Sequence, residues 1–385
     1  MSLPPSPGQP SPGEGDPEDE SRTWDSVSDD HRRVGRAERG RGNARPGRIT
    51  GAIRTVDYHT GGEPFRIVVD GAPDLEGRTV LERRAWAAAH LDHVRHLLID
   101  EPRGHADMYG AYVTLPNDSG ADLGVVFFHN EGYSTACGHG TIALVTWALE
   151  SGRLAASEPS TAVTVDVPSG RLACVARVRG NRVERVRFRN VPSFVVATGV
   201  EVTTTRGTIP VDVAYGGAFY GSVDVQALGL DVSAGSLPDL IALQRELRPA
   251  LDAALDPWHP EEPELRGIYG IVFWQREARP KTEVTLVQRN VTVFADGEVD
   301  RSPCGSGTSA RLALLDASGE LARGAALEHR SIVHSVFLGR VVGDGPPAAG
   351  RATVITEVEG SAFLTGRHEF VLDPADPLGT GFLLR

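Results

Sequence analysis

The chain has 385 residues, of which 40% are hydrophobic, and its formal net charge is −12. This acidic balance excludes nucleic acid and an anionic membrane surface as expected partners. No run of about 18 apolar residues occurs, so no membrane span is expected. Its three cysteines are too few for a disulfide framework, which favours reduced thiols and a cytoplasmic location.

The length predicts two domains, and they follow a segment of different composition. Residues 1–48 are rich in Pro, Gly, Ser and acidic residues and then in Arg, and Trp24 is their only aromatic residue. They have neither the apolar core of a secretory signal nor enough apolar residues to fold alone. We expect a disordered N-terminal extension. A functional tail, a dispensable extension and a start codon assigned too early all remain open.

From about Ile49 onward, runs of apolar residues and the alternation of apolar with polar residues predict a mixed α/β protein with much β structure. The first predicted strands are Ile53–Val56, Phe65–Val69, Tyr112–Leu115 and Leu123–Phe128, with a helix at Leu81–Leu98. Further strands are predicted at 163–167, 172–178, 183–188, 195–202, 208–213, 270–273 and 284–294, with a helix at Leu237–Leu255. Closing strands are predicted at 336–342, 353–358, 361–364 and 368–372.

Two segments of the chain form an internal repeat. The stretch CGHGTIALVTWALESGRL, which begins at Cys137, aligns without gaps with CGSGTSARLALLDASGEL, which begins at Cys304. In each copy a predicted strand leads to a Cys-Gly-x-Gly-Thr turn and then to a helix-period apolar run. Gly152 and Gly319 stand where a helix C-terminal glycine is expected. The pattern predicts that each cysteine lies at a helix N-terminus, which binds anions and lowers a thiol pKa.

A two-copy fold can bring two such helix ends face to face around one small anionic ligand. Removal of an α-hydrogen from an amino acid is the chemistry that fits this arrangement. Backbone N–H groups stabilise the charge that grows on the substrate carboxylate, one thiolate takes the proton and the opposite thiol supplies another. Asp300 is placed to pair with the substrate ammonium, and His139 is placed either to do the same or to orient a cysteine. No lysine motif for pyridoxal phosphate and no nucleotide-binding glycine motif occurs, which favours a route without a cofactor.

Other interpretations of these residues stay open. A buried cysteine is commonly a small hydrophobe, and this is our interpretation of Cys174. Cys137, His139 and Cys304 are three zinc-type ligands without an evident fourth. A Cys–His hydrolase would leave the second cysteine unused. A binding protein that merely holds a small amino acid is the non-enzymatic alternative, and it would leave the α-hydrogen in place.

The two cysteine motifs resemble the paired signatures of the proline racemase family, which contains proline racemases, hydroxyproline 2-epimerases and trans-3-hydroxy-L-proline dehydratases. The resemblance extends from about Ile53 to the C-terminus and includes the stretches His59–Pro64, Glu101–His105, Asp212–Gly217 and Ser335–Phe337. It implies a diaminopimelate-epimerase-like fold of two pseudosymmetric, β-rich halves, each built around a central helix. By this resemblance the first half covers residues 49–196 plus about 353–385, and the second half covers residues 197–352.

The resemblance also implies roles for individual residues. Cys137 and Cys304 correspond to the two acid–base thiols, and His139 and Asp300 to contacts of the substrate amine. The turns Gly138–His139 and Gly305–Ser306 correspond to the substrate carboxylate site. Tyr109 and Phe294 correspond to the two aromatic walls. His59 and His105 remain open between structural and direct roles, and we expect Arg103 to pin its loop by hydrogen bonds.

The branch of the family is predicted from the site. Several background stretches are most similar to the dehydratase branch, whose animal members carry Thr where this chain has Cys304. Because both thiols are present here, inversion is chemically available, and function resides in the site. We therefore predict an epimerase, with a trans-3-hydroxy-L-proline dehydratase giving pyrroline-2-carboxylate as the alternative. Tyr109 in place of a phenylalanine wall favours hydroxyproline over proline, and a homodimer is one candidate assembly.

Overall fold

The computed structural model describes residues 51–278 and 286–384, so the predicted extension over residues 1–48 lies outside the described residues. The described ranges contain five α-helices: α1 (Val80–His90), α2 (Asp92–Ile99), α3 (Gly138–Glu150), α4 (Leu237–Leu255) and α5 (Gly305–Ala317). No helix in these ranges is both long and apolar enough to cross a membrane.

The described ranges also contain 17 strands that hydrogen-bond into one sheet. Those of the N-terminal part are β1 (Ile53–Thr60), β2 (Glu63–Asp70), β3 (Tyr109–Thr114), β4 (Leu123–His129), β5 (Ser160–Val167), β6 (Gly170–Arg179), β7 (Arg182–Arg189) and β8 (Phe194–Thr204). Those that follow are β9 (Gly207–Tyr215), β10 (Phe219–Asp224), β11 (Ile268–Arg276), β12 (Leu286–Phe294), β13 (Glu298–Asp300), β14 (Leu327–Ser331), β15 (Val336–Asp344), β16 (Val354–Gly360) and β17 (Ala362–Phe370).

The internal repeat is visible in the strand pairing. Strand β4 is antiparallel to β3 and parallel to β5, and β12 is antiparallel to β11 and parallel to β14 in the same way. Strand β17 pairs with β1, whereas β16 pairs with both β7 and β15. Strand β16 therefore joins the strands that follow β4, through β7, to the strands that follow β12, through β15. The predicted boundary near residue 353 lies at the start of β16.

Helices α3 and α5 are the two repeat helices, and both are enclosed by strands. Residues 138–149 of α3 and 305–315 of α5 are all buried. This is typical of helices that pack within the core on all sides. Gly152 and Gly319 follow the two helices at φ +72° and +71°, a conformation that glycine adopts without strain. The predicted helices and their C-terminal glycines are thus confirmed.

The predicted helix Leu81–Leu98 is two helices instead of one. A capping box between Thr79 and Glu82 starts α1, and Leu91 both ends α1 and precedes α2. Leu91 has a φ of −117° and is fully buried. The apolar spacing continues across this break because both helices pack into the same core, so the spacing alone does not reveal it.

Candidate active site

The two repeat cysteines are the N-cap residues of α3 and α5. The Cys137 sulfur accepts a hydrogen bond from the Gly140 N–H at 3.2 Å, and the Cys304 sulfur accepts one from the Gly307 N–H at 3.4 Å. Both are free thiols with no more than 6% of the residue exposed. Their backbones differ, because Cys137 is extended and Cys304 has a φ of +60°. A side-chain acceptor at this position satisfies a helix N–H that has no partner within the helix.

The first residues of the two helices meet at a pair of glycines. A Cβ atom added to Gly138 would lie 2.5 Å from the Gly305 Cα, and one added to Gly305 would lie 2.6 Å from the Gly138 Cα. Either addition would also approach the Phe188 ring to 3.0 Å. The helix starts therefore lie against each other, and no larger residue fits between them.

His139 and Asp300 lie beside the first thiol. The His139 Nε2 is 3.4 Å from the Cys137 sulfur, and the His139 Nδ1 is 3.7 Å from the Asp300 Oδ2. The Ser302 N–H donates to the Asp300 Oδ1 at 2.8 Å. Burial opposes ionisation of Asp300, but His139 and Ser302 outweigh it and hold the pKa of this carboxyl below its usual value. Asp300 is therefore a buried carboxylate, the partner that an ammonium group requires.

Burial dominates the pKa values of both thiols. It raises the pKa of Cys137 well above its usual value, and the charges of Asp300 and Cys304 raise it further. Burial and Asp300 raise the pKa of Cys304 to about 12. The N–H bonds at the helix starts lower both values, as expected, but they are the smaller effect. The expectation of a net lowered thiol pKa was therefore wrong, because the sequence does not show how deeply the thiols are buried.

The predicted aromatic walls lie against the same site. The Tyr109 ring contacts His139 edge-on at 4.9 Å and lies 6.0 Å from the Phe294 ring. The Tyr109 hydroxyl donates to the Ser134 hydroxyl and lies 3.0 Å from that of Tyr269. Tyr109 thus packs against His139 and also belongs to a cluster of three hydroxyl groups, formed by Tyr109, Ser134 and Tyr269, which we call the hydroxyl cluster. Ser134 and Tyr269 were missed, although Ser134 is only three residues before Cys137.

Ser306 is positioned by a tyrosine that the sequence interpretation also missed. Its hydroxyl lies 2.7 Å from the Tyr220 hydroxyl, and each of these oxygens is 3.9 Å from the Cys304 sulfur. Tyr220 ends the glycine-containing stretch 212–220. A Cβ added to Gly216 would lie 2.3 Å from the Ser306 carbonyl oxygen, so this backbone approaches the start of α5.

The arginines near the site are engaged by other groups. Arg103 donates to the carbonyl oxygens of Gly379 and Val371, which confirms that it pins its loop. Arg301 pairs with the fully buried Glu63, whose Oε2 lies 3.0 Å from the Arg301 Nε and accepts the Arg301 N–H at 2.7 Å. Neither guanidinium is therefore available as a free clamp for a carboxylate.

The contacts of His59 and His105, and the arrangement of the metal-type ligands, bear on two interpretations that the sequence left open. His59 accepts a hydrogen bond from the Gly62 N–H, and His105 bonds to the Ala106 carbonyl oxygen, so both make local loop contacts. Within the described ranges, no group of three or more His, Cys, Asp or Glu residues is arranged to hold a metal ion. The zinc interpretation of Cys137, His139 and Cys304 is therefore not supported.

Comparison with known proteins shows similarity over nearly the whole chain. The family model described as proline racemase matches residues 55–383. The trans-3-hydroxy-L-proline dehydratase of Burkholderia cenocepacia is 46% identical over 344 residues, which cover 88% of this chain and 100% of the relative. The 3-hydroxyproline 2-epimerase of Burkholderia multivorans is 46% identical over 339 residues, again covering 88% of this chain and 100% of the relative.

The fold agrees with the sequence similarity. The crystal structure of a hydroxyproline epimerase from Agrobacterium vitis, with bound trans-4-OH-L-proline, superposes with a TM-score of 0.80 at 33% identity. The superposition covers 88% of this chain and 97% of that one. The predicted diaminopimelate-epimerase-like α/β fold is thereby confirmed. By sequence and by fold, the chain belongs to the proline racemase family.

Proposed function

We propose that this protein is a cofactor-independent epimerase that inverts the α-carbon of a hydroxyproline, with Cys137 and Cys304 as its two acid–base groups. The observation that carries the proposal is the meeting of two helix starts, each capped by a buried thiol. The α-carbon between two such thiols loses its proton to one side and becomes a planar carbanion, which takes a proton from the other side, and this inverts the carbon.

The substrate's charged groups have separate partners in this proposal. The carboxylate is bound by N–H groups at the two helix starts, at Gly138–His139 and Gly305–Ser306, where backbone donors and helix dipoles favour an anion. The ammonium lies at Asp300 and His139. A bound ammonium also stabilises a nearby thiolate, so substrate binding counters the burial that raises both thiol pKa values.

The hydroxyl cluster supports hydroxyproline over proline as substrate. A wall made only of hydrocarbon gives a ring hydroxyl no partner, and an unpaired buried hydroxyl costs about 1–3 kcal/mol. Tyr109, Ser134 and Tyr269 instead offer hydroxyl groups next to the Phe294 ring. The 3-hydroxyproline 2-epimerase relative and the epimerase with bound trans-4-OH-L-proline support the same substrate class.

A second function is favoured by the other relative. The Burkholderia cenocepacia protein named trans-3-hydroxy-L-proline dehydratase is as similar to this chain as the epimerase is. In that reaction the α-proton leaves to one thiolate and the C3–O bond breaks. The hydroxyl departs as water with one added proton, and the enamine formed tautomerises to pyrroline-2-carboxylate.

We also propose the division of the chain into halves of residues 49–196 plus about 353–385 and residues 197–352, with the site between them. The similar pairing of β4 and β12 with their neighbours supports this division. We further propose a cytoplasmic location, with a homodimer as one candidate assembly.

Proton NMR in D2O distinguishes the candidate functions in one experiment. Proline, trans-4-hydroxy-L-proline and both 3-hydroxy-L-prolines are incubated with the protein. We expect loss of the α-hydrogen signal and growth of the 2-epimer for a hydroxyproline, with little turnover of proline. Dehydration of the 3-hydroxylated substrate without inversion of any substrate would identify the alternative, and unexchanged α-hydrogens throughout would identify a binding protein.

Gly138→Ala should disrupt carboxylate binding by separating the two helix starts. Its methyl group meets the Gly305 Cα at 2.5 Å, and a displacement of about 1 Å at a reacting centre can cost about 10²-fold in rate. We therefore expect a loss of about 10²-fold in kcat/KM and weaker binding of pyrrole-2-carboxylate, a planar analogue of the deprotonated substrate, by calorimetry. Gly343→Ala is the matched control, since no atom lies within 4 Å of its added Cβ. Unchanged analogue binding by Gly138→Ala would contradict the proposed carboxylate site.

A further inference from the structure

The environments behind the two thiols differ in polarity. Strand β12 carries Gln288, Asn290 and Thr292 at alternate positions, which therefore share one face of the sheet, and His329 of β14 lies directly opposite Gln288. All four side chains are fully buried. We call these four residues the polar row.

The polar row lies under α5, the helix that Cys304 caps. The Arg311 Nε of this helix donates to the Gln288 Oε1 at 3.0 Å, and the Thr308 hydroxyl lies 2.7 Å from the His329 Nδ1. At the opposite end of the row, Thr292 pairs across the sheet with Val272, which shares a hydrophobic cluster with Cys304, and the Thr292 hydroxyl lowers the pKa of the Cys304 thiol. The row thus extends from Arg311 to the thiol.

The corresponding positions of the first half are apolar. In the repeat, the residues 12 positions before the two cysteines are Val125 and Thr292, and those 14 positions before are Leu123 and Asn290, so Val125 aligns with Thr292 and Leu123 with Asn290. The strand pairing agrees, because Val125 pairs with a valine of β3 and Thr292 with a valine of β11. Val125 and Leu123 belong to the same hydrophobic cluster as Cys137. Behind Cys137, the positions that align with the polar row are therefore hydrocarbon. A polar neighbour of this thiol is His139 on its own helix, whose Nε2 lies 3.4 Å from the sulfur, and Cys304 shares a hydrophobic cluster with Val272 and Ala310 in addition to lying at the end of the polar row.

The polar row is not satisfied by its protein neighbours. Among the described residues, no hydrogen-bond partner is found for Thr292 Oγ1, Asn290 Oδ1, Gln288 Nε2 or His329 Nε2. Burying such a group unpaired costs about 1–3 kcal/mol, so four in one row require a compensating interaction. Burial and Arg311 lower the pKa of His329 to about 3, so this ring is neutral and adds no charge. A neutral row can orient dipoles and buried water toward the thiol at its end.

We propose that the polar row makes Cys304 the more readily ionised of the two thiols, with Thr292 as the positioning residue that donates a hydrogen bond to the Cys304 thiolate. The titratable groups around Cys304 are Asp300 on β13, Tyr220 on β10 and Cys137 across the site. Asp300 opposes ionisation of both thiols, and Glu63 opposes that of Cys137. The His139 imidazole lies 3.4 Å from the Cys137 sulfur, and the repeat places Val125 where Thr292 stands in the second half.

The difference in ionisation between the two thiols matters for the proposed function. Its role in the reaction rests on that function. A two-base inversion needs one thiolate and one thiol at the same time. In a symmetric site either thiol would lose the first proton, and two protonated or two ionised thiols would compete with the active forms. An inherent difference between the thiols widens the pH range in which one proton is shared between them.

The test measures thiol ionisation without turnover. The intact protein is alkylated with iodoacetamide across a range of pH, and the extent at Cys137 and Cys304 is measured separately by peptide mass spectrometry. We expect Cys304 to react at lower pH than Cys137. Thr292→Val, which keeps the shape of the side chain, should slow Cys304 alkylation about tenfold below its pKa, equivalent to about one pKa unit. Thr292→Ser should restore the wild-type profile, and Cys137 should be unaffected.

The repeat offers a matched variant with the opposite expected effect. Val125→Thr places a hydroxyl behind Cys137 and should speed Cys137 alkylation about tenfold, again about one pKa unit, without changing Cys304. Thermal denaturation and pyrrole-2-carboxylate binding establish that each variant is folded. An unchanged Cys304 profile in Thr292→Val, or equal shifts at both cysteines, would overturn the inference. Since no substrate is converted in this assay, the result does not depend on whether the protein inverts hydroxyproline.

Discussion

Replacing Cys304 by Thr is expected to abolish inversion of trans-4-hydroxy-L-proline, with a loss of about 10²–10⁴-fold in kcat/KM. A threonine hydroxyl is far too weak an acid near neutrality to return a proton from its face. The family resemblance implies that Cys137 is the base for the L-isomer. In this variant it is the remaining thiol of the site that can ionise, and it still removes the α-proton. The carbanion then has no acid on the opposite face, and a 4-hydroxylated ring carries no leaving group on the neighbouring carbon.

The same variant should behave differently on trans-3-hydroxy-L-proline. There the carbanion expels the hydroxyl at carbon 3, so we expect elimination to pyrroline-2-carboxylate to replace inversion. Product analysis by NMR on both substrates measures the change. Cys174→Ala is the control, because Cys174 lies in β6 and its thiol pKa is shifted by burial alone; it should keep the wild-type products. If the wild type dehydrates the 3-hydroxylated substrate and inverts none, the dehydratase alternative holds.

Asp300→Asn is expected to lower kcat/KM about 10²–10³-fold for inversion and for elimination alike. The substrate ammonium would then be buried without a charged partner, and removing one partner of a buried ion pair costs about 3–5 kcal/mol. Because the pKa of Asp300 is held below its usual value, the carboxylate is fully ionised at neutral pH. Its contribution should be lost only as pH falls through this lowered pKa, so Asp300 should not cause any change in activity near neutrality.

Steady-state kinetics from pH 5 to about pH 9 check this prediction, since the raised pKa values of both thiols lie above this range in the free protein. Asp296→Asn is the matched control, since Asp296 lies four residues earlier with 71% of its side chain exposed, and it should leave kcat/KM unchanged. Thermal denaturation separates a loss of binding from a loss of folding. A variant Asp300→Asn that stays folded and keeps wild-type KM and kcat would contradict the proposed ammonium site.

Much of the site could be predicted because its residues are close in sequence to a repeated pattern. The Cys-Gly-x-Gly-Thr turns and the apolar runs after them are local features, and local geometry decides where a helix begins. The structure accordingly places Cys137 and Cys304 at the N-caps of α3 and α5. Strand β12 and the helix Leu237–Leu255 were also predictable, because the spacing of their apolar residues is a local feature of the sequence.

The contacts between distant segments required the structure. Tyr220 reaches Ser306 across 86 positions of the chain, and Tyr269 reaches Tyr109 across 160. A single sequence contains no local pattern that pairs such residues. Ser134 was close enough to Cys137 to be considered, but its bond to Tyr109 depends on how β3 and the loop before α3 pack together.

The sequence by itself determined the repeat, the two helix starts and the thiols that cap them, because backbone propensity and capping depend on neighbouring residues. Only the tertiary structure decided how these parts act on each other. It brought Gly138 against Gly305, and it enclosed both thiols so fully that burial outweighs the N–H bonds expected to lower their pKa. It also buried a row of polar side chains under α5, the helix that Cys304 caps. Solvation and distance are properties of the packed chain, and they set the charge state on which the proposed proton transfer depends.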